Sequence, residues 1–376
     1  MIVGTSSLPN IAADADIPIE DLILRARNNI FEEELFHEIN REARTLASQG
    51  VCSIDNIIHL PTLDDRQILV DVVRLDYKPP QPGIITGGDD ELAELIALSL
   101  RILLSNAHRR NLLRRSQLPP PLTERKPPRT TYAILRPILT YLQHQSALTS
   151  LSSFLGTMMQ ALSAAGLQSN LFSVTLSSLD LSIVGEANAN SSKPTVEALI
   201  EILTRPLESS TTVTLPASSK LQIKTRTHLY PPMVGTEYNV TTTASPSGLD
   251  VSVPSNIHFN SKSDLLDYIL HLLTLDIVTA ISNFPATSAV DSAESNGEPW
   301  LATDPHSGEL TKSFGNLGRS KRMLVGVSQT KLEAKWGWMN GKPEEGRYAW
   351  DGDGDGEGLK TLEEVVDEAG RYEVRK

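Results

Sequence analysis

Residues 351–358 read DGDGDGEG, and carboxylates alternating at that spacing are what a calcium loop uses to surround a hard cation with oxygens. Counted from Asp351, acids stand at positions 1, 3 and 5 and Gly356 stands at position 6, as an EF-hand requires. Position 12 needs a bidentate Glu and falls on Leu362, with Glu363 one place too far. Position 8 is Gly358, and Pro343 and Gly346 interrupt any incoming helix. The stretch reads as a solvated acidic turn joining a strand to a helix.

Other patterns fail similar tests. Glu34 and His37 have the Glu-x-x-His spacing of di-iron bundles, but such sites need two copies and two further glutamates, and no second copy exists. His37-Glu38 is followed by Ile39, Asn40 and Arg41, so the zinc-protease helix is absent. The remaining histidines are scattered without cysteine partners, which leaves a zinc module unsupported. The run GNLG at 315–318 has the spacing of a KH phosphate clamp but precedes the strand-like MLVGV, so it reads as a basic hairpin turn. GWMNGKP at 337–343 is one residue short of a P-loop, and Pro343 stands where a hydroxyl must meet magnesium. Neither GxSxG nor GxGxxG occurs. No catalytic, cofactor-binding or metal-ligating residue is assigned. An enzyme reading survives only as a metal-dependent site whose residues converge in three dimensions.

A chain of 376 residues exceeds the size at which one core stops growing, so two or three packed units are expected. Cys52 is the single cysteine and has no internal partner, and MIVGTSSLPN lacks the basic and apolar regions of a secretory signal. Both point to a reducing, intracellular setting. The run at 92–104 is apolar but contains Glu94 and Arg101 and is shorter than the ~20 residues a bilayer demands, so no membrane span is expected. The net charge is −12, and residues 344–376 carry 11 acids against 5 bases. Residues 101–129 reverse this, with 8 bases against 1 acid. Overall acidity and the lack of a DNA-reading motif argue against sequence-specific nucleic-acid binding.

The elements expected to position these residues fall into two halves, giving an α+β fold. Residues 1–20 read as a disordered tail. Residues 21–168 form a helical domain, bundle-like and built on long amphipathic helices, with a two-strand β-ribbon at 51–60 and 67–75 and a basic, proline-rich connector at 116–130. Its first helix starts with a capping box from Asn29 to Glu32 and stops at Gly50. A second runs from Asp89 or Asp90 to Arg115, and apolar residues around most of its circumference imply burial by several neighbours. A third begins near Thr131 with Pro137 in its first turns. Residues 169–376 form a mixed domain with antiparallel strands at 211–216, 220–229 and 236–243, then 322–327, 331–338 and 348–350. Helices are expected at 195–203, 263–281 and 359–369, with a flexible loop near 283–298.

Two apolar stripes are candidate partner interfaces. Phe31, Leu35 and Ile39 line the first helix, and Leu148, Leu151, Leu155, Met158 and Leu162 repeat at 3,4,3,4 spacing along the third. For any single residue of either stripe, internal core is the slightly favoured reading. Arg109, Arg110, Arg114, Arg115, Arg125, Lys126 and Arg129 form a basic segment. It suits a nuclear-import signal or an acidic partner, and its arginines on the helix also suit a solvated, dipole-complementing terminus.

Four blocks carry a family resemblance: IFEEELFHEINREARTLASQGV at 30–51, LSNAHRRNLLRRSQLPPPLTERKPPRTTYAILRPILTYLQHQSAL at 104–148, IKTRTHLYPPMVGTEYNV at 223–240, and the tail GRYAWDGDGDGEGLKTLEEVVDEAGR at 346–371. Together they resemble the filamentous-fungal form of subunit 17 of the Mediator of RNA polymerase II transcription. The resemblance implies a nuclear, non-catalytic scaffold in the head module of that coactivator. It implies contact with other head subunits and, through the complex, with activators and the polymerase machinery, without cofactors, direct DNA reading or membrane attachment. Family members carry more chain before the IFEEELFHEI helix, so a truncated N-terminus is expected.

Overall fold

The computed structural model describes residues 6, 18–61, 67–73, 89–117, 132–167, 170–174, 200, 203–204, 206–217, 219–228, 235–242, 254–284, 299–314, 319–339, 346–351 and 360–371. Helices dominate the N-terminal part and antiparallel strands the C-terminal part, the α+β arrangement expected. Two compact units emerge: Met1–Ser146 with Ser178–Leu207 and Thr227–Gly235, and Ala147–Ser177 with Glu208–Arg226 and Thr236–Lys376.

In the first unit, α1 (Ile19–Ala43) starts ten residues before the expected Asn29 cap. Nothing between Ile19 and Asn29 breaks a helix, and Glu20 and Asp21 complement the dipole in the first turn, so Pro18 takes the N-cap position. A 3-10 turn, Arg44–Gln49, follows and ends at Gly50, whose φ of 79° is left-handed. The expected two-strand ribbon is a three-stranded sheet in the order β1-β2-β3: β1 (Cys52–Ile54), β2 (Ile57–Pro61) and β3 (Gln67–Val70). Ile54 pairs with Ile57 around Asp55 and Asn56, both at positive φ, which gives the two-residue turn that twisted hairpins favour. Helix α2 (Asp90–Ser116) has Asp90 and Glu91 in its first turn and Arg114 and Arg115 in its last. Its middle buries Leu100, Leu103 and Leu104 in one core with Leu35, Ile39, Leu60 and Ile138, and Ala107 is buried beyond them.

Helix α3 (Leu135–Ala164) is started by a residue from elsewhere in the chain. One carboxylate oxygen of the buried Glu42, at the end of α1, accepts the backbone N–H groups of Ile134 and Leu135 at 2.7 Å each. It thus satisfies donors that a local cap would otherwise take. Burial raises the Glu42 pKa, opposed by those two bonds and by the Arg136 guanidinium. Pro137 lies in the first turn, where its missing N–H costs nothing.

In the second unit α3 closes with a Schellman motif, Leu167 N–H to Leu162 C=O and Gly166 N–H to Ser163 C=O, with Gly166 at φ 75°. Two five-stranded sheets follow. The first has the order β4-β5-β6-β7-β8, comprising β4 (Asn170–Val174), β5 (Leu207–Thr214), β6 (Lys220–His228), β7 (Gly235–Thr242) and β8 (Asn256–Phe259). The second runs β13-β12-β11-β10-β9, comprising β9 (Leu301–Asp304), β10 (Glu309–Phe314), β11 (Arg319–Val327), β12 (Lys331–Trp338) and β13 (Gly346–Asp351). Helix α4 (Lys262–Ser282) packs on β8 of one sheet and on β9 and β11 of the other. It is the one described helix long and apolar enough to cross a membrane, yet Leu265, Ile269, Leu273, Ile277 and Ile281 are buried in this unit's core. Asp276 on the same helix accepts the Ala217 N–H at 2.7 Å, which ties the β5–β6 turn to it.

Helix α5 (Leu362–Gly370) begins with a capping box between Thr361 and Glu364. Buried Lys321 of β11 closes its other end, donating to the carbonyls of Ala369 (3.1 Å) and Arg371 (2.7 Å). The expected helix at 195–203 lies outside the described residues except for Ile200 and Leu203, which are helical.

Candidate interaction surface

The structure separates the residues that chemistry would need together. Glu34 pairs with His108 of α2 at 2.9 Å, while His37 is exposed on α1. Among the described residues no group of three or more His, Cys, Asp or Glu side chains is arranged to hold a metal ion. Where an EF-hand would place an incoming helix, β13 runs up to Asp351 instead. Residues 352–359 lie outside the described residues, and the far end of that stretch is held where Trp350 donates to the Lys360 carbonyl at 2.7 Å. The run 315–318 is likewise outside them, between Phe314 and Arg319, which pair across β10 and β11.

The candidate interface residues occupy the chain's own cores. Leu35 and Ile39 are buried in the first unit, and Phe31 packs partly buried against the same cluster, its ring edge-on to His108. Leu151, Leu155, Met158 and Leu162 are buried in the second unit, each at most 3% exposed. Leu148 is half-buried. The 3,4 repeat along α3 is therefore covered by this chain itself, the ordinary fate of an amphipathic stripe. Arg109, Arg110, Arg114 and Arg115 stand exposed on the last two turns of α2. Arg125, Lys126 and Arg129 lie outside the described residues.

A different surface stands open. The first half of α1 carries Ile19, Ile23 and Ile30, exposed by 72%, 64% and 65%. With Ala26 they repeat at 4,3,4 spacing, a stripe along one helix face. On α2, Leu92, Leu95 and Leu98 before the buried middle, and Leu112 and Leu113 after it, are also exposed. The expectation that α2 is buried around most of its circumference thus fails: among the described residues full burial is confined to Leu100, Leu103, Leu104 and Ala107, with Ile96 partly buried against the same core. Salt bridges from Glu32 to Arg101 (2.7 Å) and from Glu34 to His108 hold α1 and α2 together beside the open surface. The apolar residues of α2 imply several neighbours from sequence without saying whose they are, and the expected start at Asn29 leaves those of α1 before it outside any helix.

Comparison with known proteins adds a second kind of observation. The family model for Subunit 17 of Mediator complex matches residues 1–162. The chain is 35% identical over 328 residues to Mediator of RNA polymerase II transcription subunit 17 of Aspergillus oryzae, an alignment covering 86% of this chain and 50% of that protein. The corresponding protein of Neosartorya fischeri is 37% identical over 343 residues, covering 88% and 51%. The chain spans about half the length of the curated relatives it matches. Among solved structures, that of the Schizosaccharomyces pombe Mediator head module aligns with 72% of this chain and 56% of its own at 16% identity, with a TM-score of 0.45, too weak a likeness to carry a fold assignment.

Proposed function

We propose that the chain belongs to the family of Mediator subunit 17 and is a non-catalytic scaffold of the head module of that coactivator, a reading supported by the family-model match over residues 1–162 and by the curated relatives. In this reading it works in the nucleus, binds neighbouring head subunits, and helps pass regulatory signals to RNA polymerase II. The observation that carries the reading is the open apolar surface on α1 and α2. Ile19, Ile23, Ile30, Leu95 and Leu98 lie on regular helices and present their side chains to water. Exposed large apolar side chains concentrated on two helices suit a protein–protein contact. Helical stripes are covered best by the apolar faces of partner helices, read at i, i+3, i+4 and i+7.

Co-expression of the chain with the other head subunits tests the reading. Leu95→Asp with Leu98→Asp removes apolar contact from exposed positions, so the folded chain changes stability by about 0.5 kcal/mol or less. Loss of co-purifying subunits with an unchanged circular-dichroism melt is the expected result. Full retention of the subunits by the double variant, and by an Ile23→Asp variant, overturns the assignment of this surface.

A further inference from the structure

Two histidines far apart in sequence face one another on the second unit. His271 stands on the half-exposed side of α4, and His306 is exposed in the 3-10 turn Pro305–Ser307 that joins β9 to β10. Nδ1 of His306 lies 3.2 Å from Nε2 of His271, and the ring planes are within 9° of parallel.

The turn that carries His306 is held firmly. Pro305 fixes its first residue. Gly308 follows at φ 78°, and a Cβ there would fall 2.0 Å from the Val325 carbonyl oxygen and 3.1 Å from Thr274 of α4. The Gly308 carbonyl accepts the Val325 N–H at 2.9 Å, which pins the turn to β11. His271 is fixed by a helix buried along most of its length. The Ser307 hydroxyl donates to the Asp304 backbone carbonyl at 3.2 Å, and the Asp304 side chain stands next to His306.

We propose that His271 and His306 form a two-point site for a borderline divalent cation of the Zn²⁺, Ni²⁺ or Cu²⁺ class. Imidazole nitrogen is the ligand these ions prefer. Two nitrogens at ~2.0–2.1 Å from one tetrahedral ion are ~3.3 Å apart, close to the separation already present. The remaining positions are taken by water, with Asp304 as an outer-sphere anion. Without metal the two facing nitrogens share one hydrogen bond. On binding, the proton between them moves to the far nitrogen of its own ring, and both facing lone pairs turn to the ion. The bound ion then braces the β9–β10 connection against α4.

The test uses full-length chain without a histidine tag, stripped with EDTA and desalted, titrated calorimetrically with ZnCl2 at pH 7.2. One equivalent binding in the micromolar range is expected. His271→Ala and His306→Ala each weaken it by about 10-fold or more. His258→Ala leaves it unchanged, although His258 faces Glu237 at 3.4 Å and offers the competing His–carboxylate pair. Cu²⁺ electron paramagnetic resonance of the 1:1 complex should show two coupled imidazole nitrogens. Protons compete for the same lone pairs, so binding weakens on acidification. No stoichiometric binding by the wild type, or equal binding by the His271 and His306 variants with unchanged melts, overturns the site.

Discussion

His144 offers a sharp test of how the first unit is held, because a buried histidine without a charge partner must stay neutral. Its ring on α3 is 3% exposed. Nδ1 lies 2.9 Å from the Thr227 hydroxyl, and Nε2 has no hydrogen-bond partner among the described residues. Burial lowers its pKa from 6.5 to about 4. The stabilising effect of the neutral ring is thus complete above pH 6.5 and lost as pH falls from there towards 4. A proton bound more tightly by the unfolded chain costs about 2 kcal/mol of stability between pH 7 and pH 5, and about 3 kcal/mol by pH 4, as an upper estimate. Glu42 and Asp276 act in the opposite direction, since burial raises both carboxyls and acid relieves them. The measurement is therefore a difference. Urea unfolding of wild type and His144→Gln is compared at pH 7 and pH 5, where Gln keeps a hydrogen bond to Thr227 but cannot titrate. The variant should gain about 2 kcal/mol relative to wild type on acidification. Parallel pH dependence in the two proteins, or an NMR titration of His144 with a midpoint of 6 or above, refutes the reasoning.

Three further outcomes follow from the packing. Leu155→Ala removes a side chain that is 1% exposed and should cost about 2–5 kcal/mol in thermal or urea unfolding, whereas Leu95→Ala, at 60% exposed, should stay within about 0.5 kcal/mol. Lys321→Met leaves the carbonyls of Ala369 and Arg371 without their donor and removes a cation lying 4.8 Å from the Trp338 ring centre; a loss of about 1–3 kcal/mol, with faster amide exchange at the end of α5, is expected. Gly346→Ala drives a Cβ to 2.2 Å from the Trp336 ring, and the overpacking should cost about 1–3 kcal/mol and change the near-ultraviolet signal of that tryptophan.

Local chemistry was legible wherever an element carries its own signals. Asp90, Glu91, Arg114 and Arg115 mark the ends of α2, and the observed helix runs from Asp90 to Ser116. Helix α4 begins one residue before the expected Ser263 and ends one after Ile281. Where a signal had a competing reading, the prediction slipped. Asn29 with Glu32 satisfies the pattern of a cap, yet upstream residues with good helix propensity carry α1 past it. Asp55 and Asn56 were read as strand interior, although both residues tolerate the left-handed backbone that splits the segment into β1 and β2. Strands β8 and β9, each four residues long, are too brief to show periodicity and exist because neighbouring strands supply their hydrogen bonds. Thr361 and Glu364 show what could have been used: the T-x-x-E pattern fixes the start of α5 at Leu362, three residues after the expected start.

Sequence alone determined the α+β class, the amphipathic faces and the failure of each catalytic spacing, because each depends on side chains a few residues apart. Only tertiary structure decided which apolar stripes this chain covers and which it leaves in water. The seam through Leu151 and Leu155 joins one core with α4 and two sheets, while Ile23 and Leu95 stay 64% and 60% exposed. It also decided that Glu42 starts a helix more than 90 residues away and that His271 meets His306. Hydrophobicity is non-directional and names no partner, so what covers an apolar face is set by the packing of elements distant in sequence.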